Sequence, residues 1–243
     1  MDVPRSLYRI AVVAFLTAGL CFAAEPAQPT AIDPGAAGQA PSDAVVLFDG
    51  NELSAWVHAD GSPAKWAVED GEIVGKTGSG NIQTMDTFSS FQLHIEFATP
   101  HQPEVKSQAR GNSGVYLQGR YELQVLDSYN NPTYPDGSAG AIYRQAAPLV
   151  NASRPPTQWQ TYDVIFRAPK CFGNNVIGPA TVTVLQNGVV VQDHFEMQGP
   201  TPGTIDNNIC EPGPILLQDH IHRDVEETAL RFRNIWARRL NSR

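Results

Sequence analysis

Cysteine, basic residues and long apolar runs are all scarce in this chain, and each shortage removes a class of function. It has three cysteines in 243 residues, no CxxC pair and no histidine spaced to complete a zinc finger. Structural zinc and thioredoxin-type redox chemistry therefore have nothing to build on. Lys and Arg total 17 against 25 Asp and Glu, a formal net charge of −8 with no basic cluster. A surface of that sign argues against nucleic acid and acidic membranes as partners. No GxGxxG follows a β-prone run, so no resident nicotinamide cofactor is expected. The one pronounced apolar run, residues 10–20, is too short for a membrane span. Beyond it there is no amphipathic helical periodicity and no tandem repeat.

That apolar run has Arg5 and Arg9 ahead of it and the small residues Ala23 and Ala24 behind it. This is the pattern of a secretory signal peptide, residues 1–24, and implies a secreted or periplasmic destination. Leu20 stands where a lipoprotein anchor at Cys21 would need a small residue. Residues 25–42 are rich in Ala, Pro, Gly and Gln, and read as a disordered linker. The folded domain is then 43–243. Cleavage leaves Cys171 and Cys210, both in irregular Gly- and Pro-containing segments, and an even number in an exported chain is expected to pair.

The domain is a succession of short β-prone runs separated by turn formers. FQLHIEF at 91–97 alternates strictly, with His94 on its polar face expected to be solvated. WQTYDVIFR at 159–167, TVTVLQ at 181–186 and RFRNIW at 231–236 are further strands. Asp70-Gly71 and Asn187-Gly188 mark tight hairpins. Residues 128–156 are mostly loop, interrupted at 141–143, and a second loop spans about 200–214. Many short strands with frequent turns predict an all-β, jelly-roll β-sandwich of two antiparallel sheets.

The densest polar chemistry lies at 111–127, GNSGVYLQGRYELQVLD, read as two strands joined at Gly119-Arg120. Alternation puts Glu122 and Gln124 on one face with Leu126, and Tyr121, Leu123 and Val125 on the other. Asn112 precedes the first strand and Asp127 ends the second. In ILLQDH at 215–220, Leu216, Gln218 and His220 share a face. A histidine suits general-base work near neutral pH, and a carboxylate can orient it, polarise a hydroxyl or share a metal. On spacing alone, a lone His at a strand end is more often a hydrogen-bonded structural residue, and nothing shows that the two strands are neighbours.

VVLFDGNELSAW, WAVEDGEIVG, GNSGVYLQGRYELQVLD, GAIY, WQTYDV, NGVVV, GPILLQDH and RFRNIW follow one another in this chain. In that order they resemble the 3-keto-disaccharide hydrolase family, which has a concanavalin A-like jelly-roll fold, from about Val45 to the C-terminus. The resemblance implies action on glycosides already oxidised to a ketone at carbon 3. Such a ketone acidifies the carbon 2 proton, so a base can remove it, the aglycone can leave by β-elimination, and water can add back. The route needs a base, an electrophile for the enolate oxygen and help for the leaving group. It does not need the flanking carboxylate pair of ordinary glycosidases.

Carried over to this chain, Glu122 and His220 are the acid/base candidates, with His220 favoured as base. Asn112, Gln124, Tyr143 and Gln218 would hold sugar hydroxyls, and Asp127 would do the same or cap a turn. A divalent metal held by Glu122 and His220 is one source of the electrophile, although no spacing demands it. The ketone must come from a separate sugar oxidoreductase. Trp159 and Trp236 are candidates to stack on sugar rings, though a strand tryptophan is more often core. The chain departs from the family's usual short glycine turn after LQDH, with residues 221–228 in its place, and in the insertion carrying Cys210. The rival readings are a non-catalytic carbohydrate-binding sandwich and an ordinary glucanase. The first is disfavoured by acid, amide and His where a binding module presents aromatics, the second by the lack of another acid beside Glu122.

Overall fold

The computed structural model describes residues 28–220 and 230–241. The expected signal peptide and the segment after His220 lie outside the described residues. Fifteen strands are described. They begin with β1 (Val45–Phe48), β2 (Trp56–Val57), β3 (Ala67–Glu69), β4 (Glu72–Val74), β5 (Ile82–Thr84) and β6 (Phe91–Ala98). Next come β7 (Ser113–Leu117), β8 (Tyr121–Val125), β9 (Gln160–Arg167), β10 (Lys170–Phe172) and β11 (Asn175–Gly178). The last are β12 (Thr181–Gln186), β13 (Val189–Glu196), β14 (Leu216–Leu217) and β15 (Arg231–Arg239). Among the described residues there is no α-helix, only two short 3-10 turns at Ser107–Ala109 and Pro135–Gly137.

The fold is a jelly-roll β-sandwich. One sheet has eight strands, in the order β13-β12-β9-β6-β15-β4-β3 with β1 paired to β15, and the other has five, β2-β5-β14-β7-β8. All the pairings are antiparallel, and a separate two-stranded ribbon joins β10 to β11. Alternation makes the core: Phe91, Leu93, Ile95 and Phe97 of β6 and Tyr162, Val164 and Phe166 of β9 meet Val115, Leu117, Tyr121, Leu123 and Val125 of β7 and β8. Tyr121 packs on Phe166 across the sheets, ring centroids 5.6 Å apart. The Tyr162 hydroxyl also crosses the core to donate to the Gln124 carbonyl at 2.7 Å, fixing the height of β8. With Tyr121, Leu123 and Val125 committed to the core, Glu122 and Gln124 must face the opposite side of the five-stranded sheet.

Two expectations are corrected on the outer face of the large sheet. His94 is not solvated: it is 4 % exposed, its Nδ1 lies 2.7 Å from Asp163 Oδ1, and its ring stacks on Trp236 at 5.3 Å. Its cover is the stretch read as a linker. Residues 33–42 close on themselves through Ser42 N–H to Asp33 C=O and lay the Gly38 carbonyl against the sheet. Asn234 Nδ2 and Trp236 Nε1 donate to that carbonyl at 2.7 and 3.2 Å. A bulge in β15, with Asn234 at φ 47°, turns the amide toward it. Backbone acceptors thus order a stretch whose side chains could not. Trp236 is buried under this arm, and Trp159 lies under the Arg233 guanidinium, 3.9 Å from its ring centre. Both tryptophans therefore stand on the large sheet, away from Glu122.

Candidate active site

The hairpin β7–β8 turns at Gln118 and Gly119, both at positive φ (54° and 65°), one residue earlier than the sequence reading placed it. Leu117 pairs with Tyr121, and Tyr116 with Glu122. The Glu122 N–H donates to Thr201 Oγ1 and its C=O accepts from the Tyr143 N–H. Both groups therefore face away from β7. Tyr116 and Glu122 form a non-hydrogen-bonded pair, the arrangement that brings cross-strand side chains closest. The Tyr116 hydroxyl donates to Glu122 Oε2 at 2.9 Å.

The next residue on the same face of β7 is Gly114, where any side chain would push the Glu122 carboxyl aside. A Cβ there would lie 2.6 Å from Glu122 Oε1, so the carboxyl bends over the hollow that Gly114 leaves. Gln218 is brought beside it by β14, whose ladder continues as Gln218 N–H to Gly114 C=O, and Gln218 Nε2 donates to the Tyr116 hydroxyl at 3.2 Å. On the other side, residues 140–143 run along β8, where Gln124 N–H donates to Ala141 C=O and Gly140 N–H to Gln124 C=O. This places Tyr143 next to Glu122 on the sheet's outer face. Gln124 Nε2 donates to Gln108 Oε1 at 3.1 Å, while Gln124 Oε1 and Gln218 Oε1 have no hydrogen-bond partner.

These residues enclose a cleft of about 140 Å³ lined by Asn112, Tyr116, Glu122, Gln124, Tyr143, Pro202, Gly203, Gln218 and His220. Small-molecule sites usually start at roughly 300 Å³, so the cleft admits one edge of a single sugar ring. Clefts of about 470 and 540 Å³ flank Trp159 and the arm. The first is lined by the Glu72–Arg231 ion pair and the second by the arm itself, so volume is no guide to the chemistry here. Burial pushes the Glu122 carboxyl up to about 7, against the opposing pull of the Tyr116 hydrogen bond. Burial and the neighbouring carboxyl push the Tyr116 phenol well above its ordinary value, so it remains a donor.

Six of the seven residues singled out from the sequence meet in this cleft, and Glu122 and His220 share it. Asp127 does not. Its carboxylate is buried against Arg110, with Oδ2 3.0 Å from Nε, and its Oδ1 accepts the Tyr129 N–H. Being two residues past the end of β8, it turns into the following loop and caps it. Reasoning from sequence missed Tyr116, Pro202 and Gly203. Tyr116 could have been found by counting back from the turn, since it stands opposite Glu122. The 200–203 loop has no periodicity to read. As a metal site the donor set is thin, one carboxylate and one imidazole besides neutral amides, where a catalytic zinc takes three protein ligands. Among the described residues no group of three or more His, Cys, Asp or Glu converges. The described residues alone fall short of a three-ligand zinc site.

A protein-family model described as 3-keto-alpha-glucoside-1,2-lyase-like domain matches residues 43–238. The chain belongs to this family. A solved structure from Parabacteroides distasonis, a candidate glycosyl hydrolase, is 44% identical to this lyase-like domain, with a TM-score of 0.80, and the match covers 92% of this chain and 97% of that one. Two further candidate glycosyl hydrolases from the same organism share the fold at 20% and 21% identity. Their TM-scores are 0.59 and 0.55, over 82% and 81% of this chain and 94% and 99% of theirs. No curated protein matches the chain. Family and neighbours together support a carbohydrate-active enzyme of the glycosyl hydrolase or lyase kind. Among the described residues no helix is long and apolar enough to cross a membrane. Cys171 and Cys210 form a disulfide, which suits an oxidising compartment.

Proposed function

We propose that this lyase-like domain cleaves 3-keto glycosides by removing the carbon 2 proton, eliminating the aglycone and adding water. The observation that carries this reading is a single buried carboxyl, held at about 7, facing the cleft with no second carboxylate among the described residues that line it. Ordinary glycosidases need two carboxyl groups, one on each side of the scissile bond. Elimination beside a ketone needs one base and one donor to the developing enolate. His220 fits the base. Glu122, close to half protonated at neutral pH, fits the donor: a carboxylic acid kept neutral by burial can hydrogen-bond the carbon 3 oxygen as charge builds on it. Asn112, Gln124 and Gln218 are placed to hold ring hydroxyls, and the unpartnered amide oxygens of the two glutamines fit sugar O–H donors. The apolar leader and the disulfide fit export, and a separate oxidoreductase has to supply the keto sugar.

The test uses the chain from Glu25 onward with a chromogenic 3-keto glucoside and its unoxidised parent, each with and without chelator. Release from the keto substrate alone is expected. His220→Ala should lower kcat by about 10²–10⁴-fold. Glu122→Gln, which still offers an N–H, should lose about 10²-fold and also lose the decline in kcat above about pH 7. If instead kcat shows no decline above that midpoint, Glu122→Gln is dead and His220→Ala keeps most of its activity, Glu122 is the base. Release from the unoxidised parent would mean an ordinary glycosidase. Sugar binding with release from neither would leave a binding module.

A further inference from the structure

The cleft holds two phenols, and they are engaged differently. The Tyr116 hydroxyl is surrounded by Glu122 Oε2 at 2.9 Å, the Pro202 carbonyl at 3.0 Å and Gln218 Nε2 at 3.2 Å, so its proton is committed to the site's own framework. Tyr143 stands on the far side of Glu122, held there by its backbone N–H to the Glu122 C=O. Its hydroxyl meets that of Tyr134 at 2.8 Å. Tyr134 is not among the cleft's lining residues, and the Arg144 guanidinium lies 3.9 Å above its ring centre. Arg144 takes up a left-handed backbone (φ 61°), and its N–H is tied to the Asp136 C=O at 3.0 Å. With Tyr134 donating to it, Tyr143 can direct its own proton into the cleft. A phenol backed by a second phenol, itself under a guanidinium, can release a proton and be steadied while it is anionic.

We infer that Tyr143 is the acid that protonates the departing aglycone oxygen, with Tyr134 and Arg144 as positioning residues that steady its phenolate. The inference rests on the elimination reading above. In the forward step the C2–H bond breaks toward the base, the C1–O bond breaks, the C1=C2 double bond forms, and the Tyr143 proton goes to the aglycone oxygen. In the hydration step water gives its hydroxyl to carbon 1 and its proton to Tyr143, and the base returns its proton to carbon 2. Both groups end as they began, and the sum is hydrolysis.

The experiment compares Tyr143→Phe and Tyr134→Phe with wild type on two 3-keto glucosides, one with a 4-nitrophenol leaving group and one with an alkyl alcohol. Exchange of the carbon 2 hydrogen in deuterated water is followed in parallel. An acid is needed only when the leaving group is poor. Tyr143→Phe should therefore cut alkyl alcohol release by about 10²–10⁴-fold while slowing nitrophenol release far less and leaving exchange intact. Tyr134→Phe should give the same pattern with a smaller loss. An equal loss on both substrates, or a rise in KM alone, would overturn the assignment and leave Tyr143 a sugar-binding residue. Wild type that neither exchanges carbon 2 hydrogen nor releases either alcohol would remove the elimination reading itself, a result distinct from selective failure of the variants.

Discussion

A carboxyl taken out of water favours its protonated form, and the Glu122 midpoint of about 7 against an ordinary 4.5 measures that preference. Because the folded value is the raised one, the fold is most favoured below the unfolded midpoint and loses stability as pH climbs through 7. The loss amounts to about 3 kcal/mol. Glu122→Gln, which cannot ionise, is expected to raise stability by up to that much at about pH 8 and hardly at all at about pH 4. Denaturant midpoints at the two pH values check this, and an equal effect at both would show that Glu122 does not titrate as described. Alternation pointed to Glu122 and Gln124 because a strand's period is fixed by its geometry. It could not reveal why residue 114 is glycine, since the reason is the path of a carboxyl eight positions away.

Among the elements, the wall of the cleft is the one least supported by regular pairing. The loop at 200–214 is attached to the β7–β8 turn by Thr201 N–H to Arg120 C=O, Ile205 N–H to Gly119 C=O and a 2.6 Å Arg120–Asp206 ion pair. Its far end is fastened to β10 by the Cys171–Cys210 disulfide, which closes a loop of 39 residues. In the chain-entropy picture a closure of that length is worth about 4 kcal/mol at most. Replacing both cysteines with serine is expected to lower the unfolding free energy by a good part of that and to open residues 200–214 to limited proteolysis. Unchanged cleavage of that loop would count against its dependence on the bridge. The cysteine count made the bridge readable, and the hairpin signals made β3–β4 and β12–β13 readable. The ILLQDH run was over-read as a strand: β14 stops at Leu217, and Asp219 turns aside to accept the Gly80 N–H and to donate its own N–H to Asn81 Oδ1. Such a turn depends on what lies opposite in space, which a period-two pattern does not record.

Across the whole molecule, the two sheets divide the work. The cleft opens on the outer face of the five-stranded sheet, and the arm at 33–42 covers His94 and Trp236 on the outer face of the eight-stranded one. That docking was hidden in the sequence because its key acceptor, the Gly38 carbonyl, belongs to the backbone. A chain shortened to begin at Asp43 should lose about 2 kcal/mol or more, from two hydrogen bonds and the uncovered indole. Its tryptophan emission should shift to longer wavelength while kcat stays near that of the longer chain. A loss of kcat without a loss of stability would tie the arm to the reaction instead. The segment at 140–143 has a second effect besides carrying Tyr143. β8 is the last strand of its sheet, and the N–H and C=O groups of Glu122 and Gln124 would otherwise point outward as an open row. Residues 140–143 and Thr201 occupy them, so a strand from another molecule finds no vacant backbone to extend. Changes that loosen this segment should make the protein sticky, seeding assembly through β8.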